Sequence, residues 1–90
     1  MAEFDRLCQR IRAILSIDWD PIGVRDVPQA GDEYEPYVIP VANRLMARQP
    51  AAELARYLLD TETNLLGLDG NTRRAHAVAL KLRAVAEPGT

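Results

Sequence analysis

Ninety residues with 48% hydrophobic and 27% charged side chains have the make-up expected of one soluble globular domain, with no room for a second. A net charge of −2 argues against general nucleic-acid binding, which needs clustered Lys and Arg to displace counterions from phosphates. No apolar run approaches the ~18–20 residues that span a bilayer, and the N-terminus is charged where a signal peptide is apolar, so a cytoplasmic protein with no membrane partner is expected.

In chain order, Phe4, Leu7, Cys8, Ile11, Ile14 and Leu15 recur at helical spacing opposite Arg6, Gln9, Arg10 and Arg12, which predicts an amphipathic helix over about 3–15. From Ser16 to Gly31 the pattern dissolves among Pro21, Gly23, Pro28 and Gly31, predicting a long connector. Its apolar members Ile17, Trp19, Ile22, Val24 and Val27 are too many for a loose linker, so it is expected to fold over the helices with Trp19 as anchor. A second helix is predicted over 33–48 on the stripe Tyr34, Tyr37, Val38, Val41, Leu45 and Met46. Pro36 suits its first turn, whereas Pro40 implies either a kink or a regular part that starts there. A third helix, 50–66, opens at Pro50, lines one face with Ala51, Leu54, Leu58 and Leu65, and ends at Gly67 with Leu68 closing a Schellman motif. Asn71 or Thr72 caps a fourth helix, 71–86, on Ala75, Val78, Ala79, Leu82 and Val85, before a tail at 87–90. The expected fold is a single all-α domain, a compact bundle of four helices.

The chemistry-bearing residues are sparse. Asp18 can open a twelve-residue calcium loop, with Asp20, Gly23 and Asp26 at its third, sixth and ninth positions. Ile22 and Gln29 then stand where two further oxygen ligands are needed, so no metal is expected. One cysteine, Cys8, on an apolar stripe and one histidine, His76, beside another make neither a zinc set nor a nucleophile–base signature, and no glycine-rich phosphate cradle is present. No catalytic residue and no cofactor are therefore assigned. Arg73, Arg74, Lys81 and Arg83 read as the solvated face of the last helix.

Charge is distributed unevenly. Residues 17–35 carry Asp18, Asp20, Asp26, Asp32, Glu33 and Glu35 against Arg25 alone, a local net of −5, which leaves +3 for the rest. Trp19, Tyr34 and Tyr37 fall in the same stretch, and aromatics rimmed by carboxylates describe a protein-binding surface. The expected partner is another protein with a basic surface, met by Asp18, Trp19, Asp20, Asp26, Asp32, Glu33, Tyr34, Glu35 and Tyr37. A homodimer is a further expectation, because a chain this short builds only a small core. The alternative function is a small enzyme or divalent-ion binder built on the same carboxylates.

The segment Trp19-Asp20-Pro21-Ile22-Gly23-Val24, followed by Asp32-Glu33-Tyr34-Glu35-Pro36-Tyr37 and the helix around Arg44-Leu45-Met46, resembles a group of small bacterial helical proteins of unknown function, the YugE-like type. The resemblance covers residues 7–66 and implies a small helical bundle without known catalysis; it carries over no functional residues. Proteins of this size and style also serve as immunity partners of bacterial toxins, an analogy at the level of fold.

Overall fold

The computed structural model describes residues 2–23 and 33–86, and these form four helices with no strand among them. The expected positions Val24, Asp26, Val27, Pro28, Gly31 and Asp32, and the tail at 87–90, lie outside the described residues.

Helix α1 runs Ala2–Ile14 and does not stop at Ser16 as the sequence pattern suggests. It continues through a π-helical turn, Leu15–Trp19, in which the Asp20 N–H donates to the Leu15 carbonyl at 2.9 Å, five residues back. The helical path therefore enters the expected connector and carries Trp19 on its last turn. It ends at Asp20 in the left-handed conformation (φ 32°, ψ 58°), which Asp tolerates better than most residues, and Pro21 has no N–H with which to resume it.

Helix α2, Glu35–Met46, is shorter than predicted at both ends and begins at Tyr34 without a side-chain cap. Of the two outcomes open for Pro40, a kink or a late start, the late start is not seen. The helix starts at Glu35 and passes through Pro40, whose missing N–H falls opposite the carbonyl of Pro36, only one turn from the helix start. The C-terminus is a Schellman motif, with Gln49 N–H on the Arg44 carbonyl at 3.1 Å and Arg48 N–H on that of Leu45 at 3.0 Å. The left-handed position of that motif, where glycine is usual, is held by Arg48 at φ 61°.

Helix α3 spans Ala51–Asp60 with Pro50 as its N-cap, and passes into a second π turn at Thr61–Leu65. The hydroxyls of Thr61 and Thr63 bond back to the carbonyls of Tyr57 and Leu59 at 2.8 and 3.1 Å, competing with the backbone where the helix widens. Leu66 N–H then reaches the Thr61 carbonyl and Leu68 N–H that of Glu62 at 2.8 Å, one residue wider than an ordinary Schellman closure around Gly67 (φ 68°). Helix α4, Thr72–Ala86, is capped by Asn71, whose side-chain oxygen accepts the Arg74 N–H at 2.9 Å.

The core gathers Ile11 from α1, Leu15 and Trp19 from the π turn that continues it, Val38 and Val41 from α2, Leu54 and Leu58 from α3, and Leu82 from α4, with α4 packed along α3 and touching α1. Two stripe positions are corrected. Leu65 is 70% exposed, because the π turn closes one residue later than an α turn and shifts the residues beyond it out of the α-helical phase. Met46 is 63% exposed on the outer side of the last turn of α2. The described helices include none long and apolar enough to cross a membrane.

Candidate functional site

The acidic and aromatic residues singled out in the sequence divide into a buried cluster and a rim. Trp19 and Tyr34 are 1% and 4% exposed, with ring centres 5.4 Å apart, and half-buried Tyr37 meets Trp19 edge-on at 6.0 Å. The three aromatics thus come together as their spacing suggests, but the faces of Trp19 and Tyr34 are spent on the core and offer a partner no area.

What they build is a joint between two segments. Asp20, Pro21, Ile22 and Gly23 form a tight turn closed by the Gly23 N–H on the Asp20 carbonyl at 3.1 Å, with Asp first, Pro second and Gly last, an order that favours a type I turn. The Tyr34 hydroxyl, at the threshold of α2, donates to Asp20 Oδ1 at 2.7 Å and accepts the Ile22 N–H at 3.1 Å. Burial, and then the hydrogen bond to Asp20, hold the Tyr34 hydroxyl protonated well above the usual tyrosine range. One phenol therefore locks the Trp-Asp-Pro-Ile-Gly turn against the first turn of α2.

Around this joint lie Asp18, Asp20, Glu33 and Glu35, while Asp26 and Asp32 fall outside the described residues. Two of the four carry cations from other helices. Lys81 of α4 stands 3.1 Å from Asp18, and Arg12 of α1 grips Glu35 through two bonds of 2.7 and 2.6 Å. That bidentate contact lowers the Glu35 carboxyl below its ordinary 4.5. The excess of −5 read along the chain is thus partly cancelled in space, and Glu33 is the exposed carboxylate of the four with no ion pair to a described residue. Beside the rim, Ile17 and Ile22 are 57% and 39% exposed.

Beneath the joint is a group that sequence reasoning missed. Glu62, fully buried in the second π turn, accepts the Trp19 indole N–H at 3.0 Å and the Arg74 guanidinium at 2.8 Å on its two oxygens. The two π turns face each other across this bond. The available signal was that Leu54, Leu58 and Glu62 step by four along one face, which places a charge on an otherwise apolar stripe. Arg74 Nε is also buried and finds no acceptor, so the guanidinium is held mainly through Glu62.

A second, separate feature is a shallow cleft of about 190 Å³ between the end of α2 and α3, lined by Arg44, Gln49, Glu53, Arg56, Tyr57 and Asp60. The Arg44 guanidinium stacks 3.9 Å above the Tyr57 ring. Burial raises the Tyr57 hydroxyl. No three metal-ligating side chains converge among the described residues; Cys8 is buried in the core and His76 exposed on α4. Compared with known protein families, with curated proteins and with solved structures, the chain has no match.

Proposed function

We propose that the protein is a non-enzymatic, cytoplasmic interaction module that presents the acidic rim of the turn–α2 joint to a basic protein partner. The observation that carries this reading is the Tyr34 clamp. It fixes Asp20 and Ile22 against the start of α2, so that exposed Ile17, Ile22 and Glu33 and the paired carboxylates of Asp18 and Glu35 stand on a rigid base rather than on a loose loop. A preordered rim of apolar and acidic groups costs little entropy to dock, and its charge favours encounter with a basic surface. By the fold-level analogy to immunity partners of bacterial toxins, the proposal extends to an immunity-type or regulatory role, in which a basic surface of the partner is covered.

The test removes the rim while keeping the clamp. Ile17→Ser, Ile22→Ser and Asp18→Asn together leave the Tyr34–Asp20 bond intact. Proteins retained from the native lysate by the wild type should be lost by this variant, and retention should weaken with added salt. The same proteins held equally by both would overturn the reading.

A further inference from the structure

The outer face of α2 is unlike that of an ordinary solvated helix. Pro36, Ile39, Asn43, Met46 and Ala47 are all exposed and share one side of it, opposite the buried Val38, Val41, Ala42 and Leu45. Ile39 and Met46 are 49% and 63% exposed, so two large apolar side chains stand a turn or two apart on the same stripe. The stripe has opposite charges at its ends. Glu33, exposed and without an ion pair to a described residue, stands just before the helix, and exposed Arg48 just after it.

Arg48 carries a second observation. It occupies the left-handed position of the Schellman motif, which glycine adopts without strain and a long side chain does not. A strained residue points to a use for its side chain. The use that fits is electrostatic, because a helix acidic at its start and basic at its end is complementary to itself when a second copy lies antiparallel.

We infer that α2 is the interface of a homodimer, with two copies related by a two-fold axis and their α2 helices packed antiparallel. Aligning Pro36 of each copy with Met46 of the other also aligns Ile39 with Asn43 and brings Glu33 within reach of Arg48, at both ends of the contact. The helix dipoles oppose one another along the contact. A contact along twelve residues, about 18 Å of helix, lies at the small end of specific interfaces, so a weak, reversible dimer is expected. The dimer uses Glu33 but leaves Ile17, Asp18, Asp20 and Ile22 uncovered, so it goes beyond the partner-binding reading and shares no variant with its test.

Sedimentation equilibrium on the purified chain alone, over roughly 1–500 µM, tests this. The wild type should pass from monomer to twice the monomer mass, while Ile39→Glu with Met46→Glu should weaken association at least about tenfold at unchanged helicity. Arg48→Glu alone should weaken it, and Glu33→Arg with Arg48→Glu should restore it to within about threefold of wild type, as expected for a coupled charge pair. A wild type that stays monomeric throughout, a dimer indifferent to the Ile39 and Met46 changes, or a charge swap no better than Arg48→Glu alone would each overturn the inference.

Discussion

Replacing Glu62 by Gln keeps the shape of the buried side chain and changes only its bonding. The carboxylate serves two donors, the Trp19 indole N–H at 3.0 Å and Arg74 Nη2 at 2.8 Å. A carboxamide has one oxygen, so either Trp19 or Arg74 then faces an NH₂ group. If Trp19 loses its acceptor, a donor only 1% exposed goes unpaired, at about 1–3 kcal/mol. If Arg74 loses it, the cost is smaller than the ~3–5 kcal/mol of a fully buried broken pair, because 31% of its side chain is exposed and rehydrates. Either way about 2 kcal/mol is expected for Glu62→Gln. Glu62→Ala adds an unfilled cavity and should cost about 3–4 kcal/mol. A domain of this length has a total stability of only about 5–13 kcal/mol, so the loss should lower Tm by roughly 8–16 °C for the Gln variant. Urea unfolding read by circular dichroism gives the energies. Tryptophan emission reads the site directly, since Trp19 is the only tryptophan in the chain. Trp19→Phe and Arg74→Met combined with Glu62→Leu, which removes the acceptor together with both of its donors, should recover much of the loss. A Gln variant within about 0.5 kcal/mol of wild type, with unchanged emission, would refute the reasoning.

Two further outcomes follow from the clamp and the turns. Tyr34→Phe removes one donated and one accepted hydrogen bond and should cost about 1–2 kcal/mol. The folded protein holds the Tyr34 proton that the unfolded chain releases near 10, so this stabilisation is complete below about pH 10 and drains as the pH rises above it. Urea midpoints of the Phe variant should accordingly fall less steeply than those of wild type on the alkaline side, blunted rather than flat because Tyr57 is raised as well. Gly23 and Gly70 both have positive φ, but an added Cβ meets nothing within 4 Å at Gly23 and meets Thr63 Cγ2 at 2.9 Å and Leu59 Cδ1 at 3.0 Å at Gly70. Gly23→Ala should therefore cost about 1 kcal/mol and Gly70→Ala about 2 kcal/mol by thermal melts, the difference limited because the crowded atoms are side-chain tips. Equal costs would mean that the loop shifts away freely.

Much of the helical layout was legible, because it rests on local signals: apolar periodicity, Pro50 at the start of α3, Gly67 at its end and Asn71 as the cap of α4. Trp19 as the anchor of the turn was legible too, since one large aromatic among breakers has few other uses. Part of the misplacement has one physical cause. Periodicity arguments assume 3.6 residues per turn, so the two π turns could not be read, and Leu65 was placed inside when the widened turn points it out. Local charge counts ignore what folding brings near, and so Arg12 and Lys81, on helices assigned to other faces, neutralise Glu35 and Asp18. Glu62 was hidden for the same reason, because the partners that make its burial tolerable, Trp19 and Arg74, meet it only in the folded chain.

The two π turns also bear on how this chain tolerates insertions and deletions. Each turn holds one residue more than an α turn would, and each presents one end of the Trp19–Glu62 bond. Deleting a residue of the first turn ahead of Trp19 would rotate the indole by about 100° and carry its N–H away from Glu62. A length change in α1 is thus felt in α3, although the two helices are far apart in the chain. In descendants of this sequence, the extra residue of the first turn should be kept wherever Glu62 is kept.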